Sequence, residues 1–146
     1  MTLRVNQQMN IRSPVAEVFD ALVNPEKLCG YFTSAANGTL VEGEMVEWRW
    51  ADYGCGARLV VRVAKVEQDR YVAFHWPATG RDTLVEFTFE PVSDSVTKVS
   101  IREGEWEANE VGVKALVAQA EGWMHMVTCM KAWLEYDGIN LREGMS

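Results

Sequence analysis

Between about Thr39 and Trp106 the chain alternates apolar and polar residues in successive short runs, joined by connectors too short for a crossover. Val46, Trp48 and Trp50 alternate with Glu47 and Arg49, and Leu59, Val61 and Val63 with Arg58 and Arg62. Val72, Phe74 and Trp76 share one face opposite His75. Val85, Phe87 and Phe89 alternate with Glu86, Thr88 and Glu90, and Val99 and Ile101 with Ser100 and Arg102. A period of two marks strands that bury one face. The connectors Glu42-Gly43, Asp52 to Gly56, Gln68-Asp69, Pro77 to Asp82 and Ser93 to Ser95 carry turn residues. Parallel pairing needs crossovers of roughly a dozen residues or more, so the region reads as an antiparallel meander of about six strands.

Other periods flank the meander. Leu3, Val5, Met9 and Ile11 share a face with one polar intruder, Gln7, which predicts a first half-buried strand. Ser13-Pro14 supplies an N-cap and a first-turn proline for a short helix through Val15, Val18, Phe19 and Leu22. Asn24-Pro25 restarts a second, with Leu28, Tyr31 and Phe32 as its apolar residues. From about Glu110 to Tyr136 the period becomes helical. Val113, Leu116, Val117, Ala120, Trp123, Met124, Val127 and Leu134 fall in one stripe, with Met126, Met130 and Trp133 beside it. Asp137-Gly138 ends this helix. A sheet with one apolar face must be covered, and only the last helix is large enough to cover it. The expected class is α+β: a curved antiparallel sheet of about seven strands, two short helices and a long C-terminal helix, in one domain spanning 1–146.

Composition narrows the function. A chain of 146 residues buries roughly 68–70% of its unfolded surface and needs no metal or disulfide staple. Fourteen basic against twenty-one acidic residues give a net charge of −7, the wrong sign for nucleic acid or anionic lipid. No apolar run approaches the ~18 residues of a membrane span, and the N-terminal MTLRVNQQ lacks a signal-peptide core. Three cysteines, Cys29, Cys55 and Cys129, cannot all pair, so reduced thiols and a cytoplasmic location are expected. His125 and Cys129 stand four apart on what reads as the polar side of the last helix, without a third ligand. No metal centre and no cofactor are expected. The chain has no G-x-S-x-G, no Ser-His-Asp arrangement and no glycine-rich loop, so no catalytic residue is assigned.

Four local motifs, in order, carry a resemblance. They are Ser13-Pro-Val-Ala-Glu-Val-Phe-Asp-Ala-Leu22, Asn24-Pro-Glu-Lys-Leu28 followed by Tyr31-Phe32, the strand Val72 to Trp76 ending in an aromatic-Trp pair, and Gly122-Trp123. Tyr31 stands in a usual tryptophan position, and Val127 and Met130 replace commoner leucines. Together they resemble the activator of heat-shock protein 90 ATPase-like family of the START/birch-pollen-allergen (SRPBCC) superfamily. The resemblance implies a helix-grip fold with a cavity between sheet and closing helix, which in relatives holds lipids, aromatic metabolites or polyketides. It also implies a co-chaperone role toward heat-shock protein 90. Eukaryotic activators use an additional N-terminal domain for that role, and 146 residues leave no room for one.

The candidate cavity residues are the inward aromatics Trp48, Trp50, Phe74, Trp76, Phe87 and Phe89, with Trp123, Met124 and Val127 from the helix and Gln7 and Glu103 as polar groups. The aromatics equally suit a filled core. An unbroken last strand would turn Glu103 and Glu105 inward. A bulge at Gly104 would instead send both to solvent, as part of an acidic edge with Glu107 and Glu110, and bring Trp106 in. The leading expectation is a non-enzymatic domain binding a small apolar or aromatic molecule. The alternatives are a module acting on heat-shock protein 90, and a cyclase- or hydrolase-like enzyme using cavity carboxylates. Met126 and Trp133 would form either an exposed homodimer patch or a contact with the C-terminal tail.

Overall fold

The computed structural model describes residues 1–51 and 57–142; Cys55 and the turn expected at Asp52 to Gly56 lie outside them. Strands β1 (Thr2–Ile11), β2 (Ala35–Ala36), β3 (Met45–Trp50), β4 (Ala57–Glu67), β5 (Tyr71–Trp76), β6 (Thr83–Ser93) and β7 (Val96–Glu107) form one antiparallel sheet. Its order is β1-β7-β6-β5-β4-β3-β2, so the meander runs from β2 to β7 and β1 closes onto the last strand. The meander's first strand is the two-residue β2, just before the region expected to begin at about Thr39. Helices α1 (Val15–Val23) and α2 (Pro25–Leu28) fill the connection from β1 to β2, and α3 (Glu110–Glu135) crosses β1 and β7. This is the helix-grip arrangement, α+β in class.

Local chemistry explains most of the helix ends. Asn109 Oδ1 accepts from the Gly112 amide at 2.9 Å and starts α3; Asn24 Oδ1 accepts from the Glu26 amide at 3.0 Å and starts α2. Ser13 behaves differently from the expected cap. Its hydroxyl donates to the Glu17 carboxylate at 3.1 Å, while its carbonyl accepts from Thr97 Oγ1 at 2.9 Å, fixing the β1–α1 corner to β7. At the far end of α3 the Gly138 amide donates to Trp133 O at 2.8 Å, a Schellman closure. Asp137 takes the first left-handed position, with φ 52°, and Gly138 follows at φ 78°.

The face α3 buries is not the one its period suggests. Trp123 and Val127 are buried as expected, but Val113 and Val117 are 48% and 50% exposed. Met126, Cys129 and Met130 are buried instead. The C-terminal half of α3 is enclosed from a second side by the segment after α2, where Tyr31 packs on Trp133 at a 5.7 Å ring separation. Gly30 makes that approach possible, since a Cβ there would lie 2.5 Å from Trp133 Nε1. Met126 and Trp133 therefore form no exposed patch. The C-terminal turn reaches Trp133 as well, at Gly138. No helix among the described residues is long and apolar enough to cross a membrane.

Candidate functional site

Both readings of the last strand hold in part, because its irregularity falls between the two glutamates. Leu3 pairs with Trp106 and Arg4 with Gly104, so Glu105 is the extra residue of a bulge. Glu103 stays inward at 1% exposure, and Trp106 returns inward at 3%. Glu105 points out and bonds the Arg4 guanidinium. The acidic-edge reading is thus wrong for Glu103. Gly104 is fitted to the spot, since a Cβ there would meet Arg4 Cγ at 2.7 Å.

The Glu103 carboxylate gathers four donors from three elements. Oε2 accepts from Trp76 Nε1 at 2.9 Å and Thr83 Oγ1 at 2.6 Å; Oε1 accepts from Trp123 Nε1 at 2.7 Å and Gln119 Nε2 at 2.8 Å. A carboxylate offers about four lone-pair sites, so this one is saturated. It ties β5, β6 and α3 together and fixes the rings of Trp76 and Trp123, which stack with centroids 5.1 Å apart. Phe32 packs edge-on against Trp50 at 5.3 Å and tilted against Trp123 at 6.1 Å. These rings form a preorganised aromatic wall.

Beside that wall lies a cavity of about 350 Å³, open to solvent. Phe32, Trp50, Trp76 and Trp123 form its aromatic side, with Tyr31, Leu59, Ala78 and Met126 as further apolar lining. Gln119, His125, Cys129 and Arg142 bring the polar atoms. Burial pushes the Cys129 thiol up, an effect the nearby Arg142 guanidinium partly offsets, so the thiol is not primed as a nucleophile. Burial likewise raises Tyr31 well above the usual phenol range, and its hydroxyl donates to Ala21 O at 2.9 Å. Among the described residues, no cluster of three or more His, Cys, Asp or Glu side chains could hold a metal.

Three of the sequence-derived candidates, Trp50, Trp76 and Trp123, line this cavity, and Glu103 sits behind two of them. Trp48, Phe74, Phe87, Phe89 and Val127 lie in the packed interior, each at 1% exposure or less. Gln7 and Met124 lie in a separate groove between α3 and β1, where Gln7 Nε2 donates to Ala120 O at 3.4 Å. His125 lines both spaces, and none of the three tryptophans lines this groove. His125 and Cys129 do not occupy a polar outer face: Cys129 is buried, and both line the cavity. Periodicity missed Phe32, Gln119, His125, Cys129 and Arg142 as lining residues. Gln119, one turn before Trp123, was the most findable of them.

Comparison with known proteins agrees with this architecture. No curated protein matches the chain significantly by sequence. Protein SSP2350 from Staphylococcus saprophyticus superposes with a TM-score of 0.82 at 28% identity, covering 96% of this chain and 96% of that one. DynU16, from the dynemicin biosynthetic locus, gives a TM-score of 0.78 at 19% identity; the match covers 92% of this chain and 48% of DynU16. The Aha1 dimer from Colwellia psychrerythraea gives 0.74 at 19% identity, covering 92% and 97% respectively. The family model described as Activator of Hsp90 ATPase homolog 1-like protein matches residues 12–135. The chain belongs to that family.

Proposed function

We propose that this protein is a non-enzymatic binding domain whose ligand is a small apolar or aromatic molecule, held between the sheet and α3. The observation that carries this reading is the cavity of about 350 Å³ whose aromatic wall is fixed by a saturated, buried carboxylate. Small-molecule sites are concave, mostly apolar and preformed, with a few placed polar groups. Neither glutamate supports the enzymatic alternative. Glu103 has all its lone-pair sites engaged, and Glu105 faces outward on Arg4. The free thiols of Cys29 and Cys129 fit a reducing cytoplasm, and the chain is read as a single domain. A thermal-shift and native-mass screen against lipids, flavonoids and short polyketides tests the reading. One class should raise Tm and give a one-to-one complex; no shift with any class overturns it.

The family description favours a second reading, a module that binds heat-shock protein 90 through its surface. Val113 and Val117 on the exposed flank of α3 supply apolar area for that contact or for a homodimer like the Colwellia relative. Stimulation of the chaperone's ATPase by this chain alone supports the module, and no pull-down and no stimulation reject it. Light scattering on a size-exclusion column decides the homodimer by mass.

A further inference from the structure

Gln119 gives the cavity a polar atom of fixed identity. It stands one turn before Trp123 and two turns before Met126, so the three share the face of α3 that lines the cavity. Its Nε2 donates to Glu103 Oε1 at 2.8 Å, the same oxygen that accepts from Trp123 Nε1 at 2.7 Å. A carboxylate accepts and does not donate, so the amide nitrogen must be the atom on Glu103 and the amide is held in one orientation. That leaves the carbonyl oxygen, Gln119 Oε1, which has no hydrogen-bond partner among the described residues. Unlike the sealed indole nitrogen of Trp48, it keeps access to solvent. Because the two donors share one acceptor oxygen, the amide lies beside the Trp123 ring, at the edge of the Trp76–Trp123 stack.

We infer that the cavity takes a compact aromatic molecule bearing a hydroxyl or ring N–H, its ring against Trp76 and Trp123 and its donor on Gln119 Oε1. The inference rests on the ligand-binding reading above and adds to it the hydrogen-bonding group and the body of the ligand. Donation to an anion polarises the amide. It strengthens the carbonyl oxygen as an acceptor and weakens the second N–H of the same nitrogen as a donor. The matching ligand group is therefore a donor, not a further carbonyl or ether. A ring that covered Gln119 without one would strip water from Oε1 and leave it unpaired, the way a site rejects an analogue that lacks a hydroxyl. A volume of about 350 Å³ lies at the lower end of ligand pockets, which suits a compact ring system better than a two-chain lipid.

Three probes test the inference by tryptophan quenching and calorimetry at pH 7: 2-naphthol, its methyl ether 2-methoxynaphthalene, and 1-octanol. The expected order is 2-naphthol tightest, by roughly tenfold or more over the ether and over octanol, as the loss of one hydrogen bond to a covered acceptor implies. In Gln119→Met and Gln119→Ala the naphthol's advantage over the ether should shrink to about threefold or less, with ether affinity kept. Kept ether affinity shows that the aromatic wall survives the substitution, which a merely structural role for Gln119 would not allow. Two variants are used so that loss of folding in one, read by circular dichroism, leaves the other decisive. An ether that binds wild type as tightly as the naphthol overturns the donor assignment and leaves the cavity reading standing. Equal or tighter binding of octanol overturns the aromatic assignment. Retention of the full naphthol preference in the variants removes Gln119 as its cause. Absence of binding by all three probes removes this inference; the broader screen then decides the cavity reading separately.

Discussion

Trp76 and Trp123, from a strand and a helix 47 residues apart in sequence by their numbering, stack at 5.1 Å while their indole N–H groups bind opposite oxygens of one carboxylate. The stack alone is worth about 1 kcal/mol beyond its buried area. Its orientation comes from Glu103, which aims both edges at one point and so fixes the faces that line the cavity.

Glu103→Gln isolates that role at almost constant volume. An amide offers two lone pairs where the carboxylate offers four, and its own nitrogen would confront existing donors. Two of the four donors then go unsatisfied, at roughly 1–3 kcal/mol each. The expected loss is about 3 kcal/mol, or roughly 6–12 °C in Tm for a chain of this size. Tryptophan emission should shift to the red as the wall loosens. An unchanged Tm in the variant would refute the hub.

Two glycines of α3 should respond to alanine with opposite signs. Helix propensity alone favours alanine at either by about 0.8–1 kcal/mol. At Gly122 a Cβ meets nothing within 4 Å, so Gly122→Ala should realise most of that gain. At Gly112 a Cβ would sit 1.8 Å from the carbonyl oxygen of Glu107, which is backbone and cannot step aside. Gly112→Ala should therefore cost roughly 2 kcal/mol through displacement of the helix start. Urea midpoints with unchanged slopes measure both. Matching signs would mean that the start of α3 does not sit against the Glu107 carbonyl.

What sequence could reveal here tracks how local each cause is. The strands follow from side chains alternating between a packed face and water, so Val46 to Trp50 or Val85 to Phe89 declare themselves. The side on which Glu103 lies depends on where β7 slips against β1, a pairing between residues about 100 positions apart, and no local pattern encodes it. His125 and Cys129 read as a polar face because helical period alone does not show that Tyr31 and Arg142, from elsewhere in the chain, line the same cavity. Arg142 follows the last helix and belongs to no period at all. Three tryptophans of the cavity wall, Trp50, Trp76 and Trp123, were therefore legible, while Phe32 and the polar end were not.

Acid should loosen the joint between β1 and the end of α3. Burial alone would raise the carboxyl of Glu135, but the Arg12 backbone amide at 2.8 Å, the Lys131 ammonium at 2.6 Å and the Arg12 guanidinium outweigh it and bring it to about 2. Lys131 also donates to Asn10 O at 2.6 Å, so the cluster spans strand and helix. A carboxyl with a depressed folded-state pKa stabilises fully above its unfolded value of 4.5, and that contribution is lost as pH falls toward 2. With allowance for solvent screening it amounts to about 2 kcal/mol. Glu135→Gln should lower stability at pH 7 by that amount and flatten the fall between pH 5 and pH 2. Comparing the two proteins cancels the titration of carboxylates common to both. Parallel stability curves for wild type and variant would show that Glu135 does not carry this acid sensitivity. Convergence of the curves near pH 2 is the expected result.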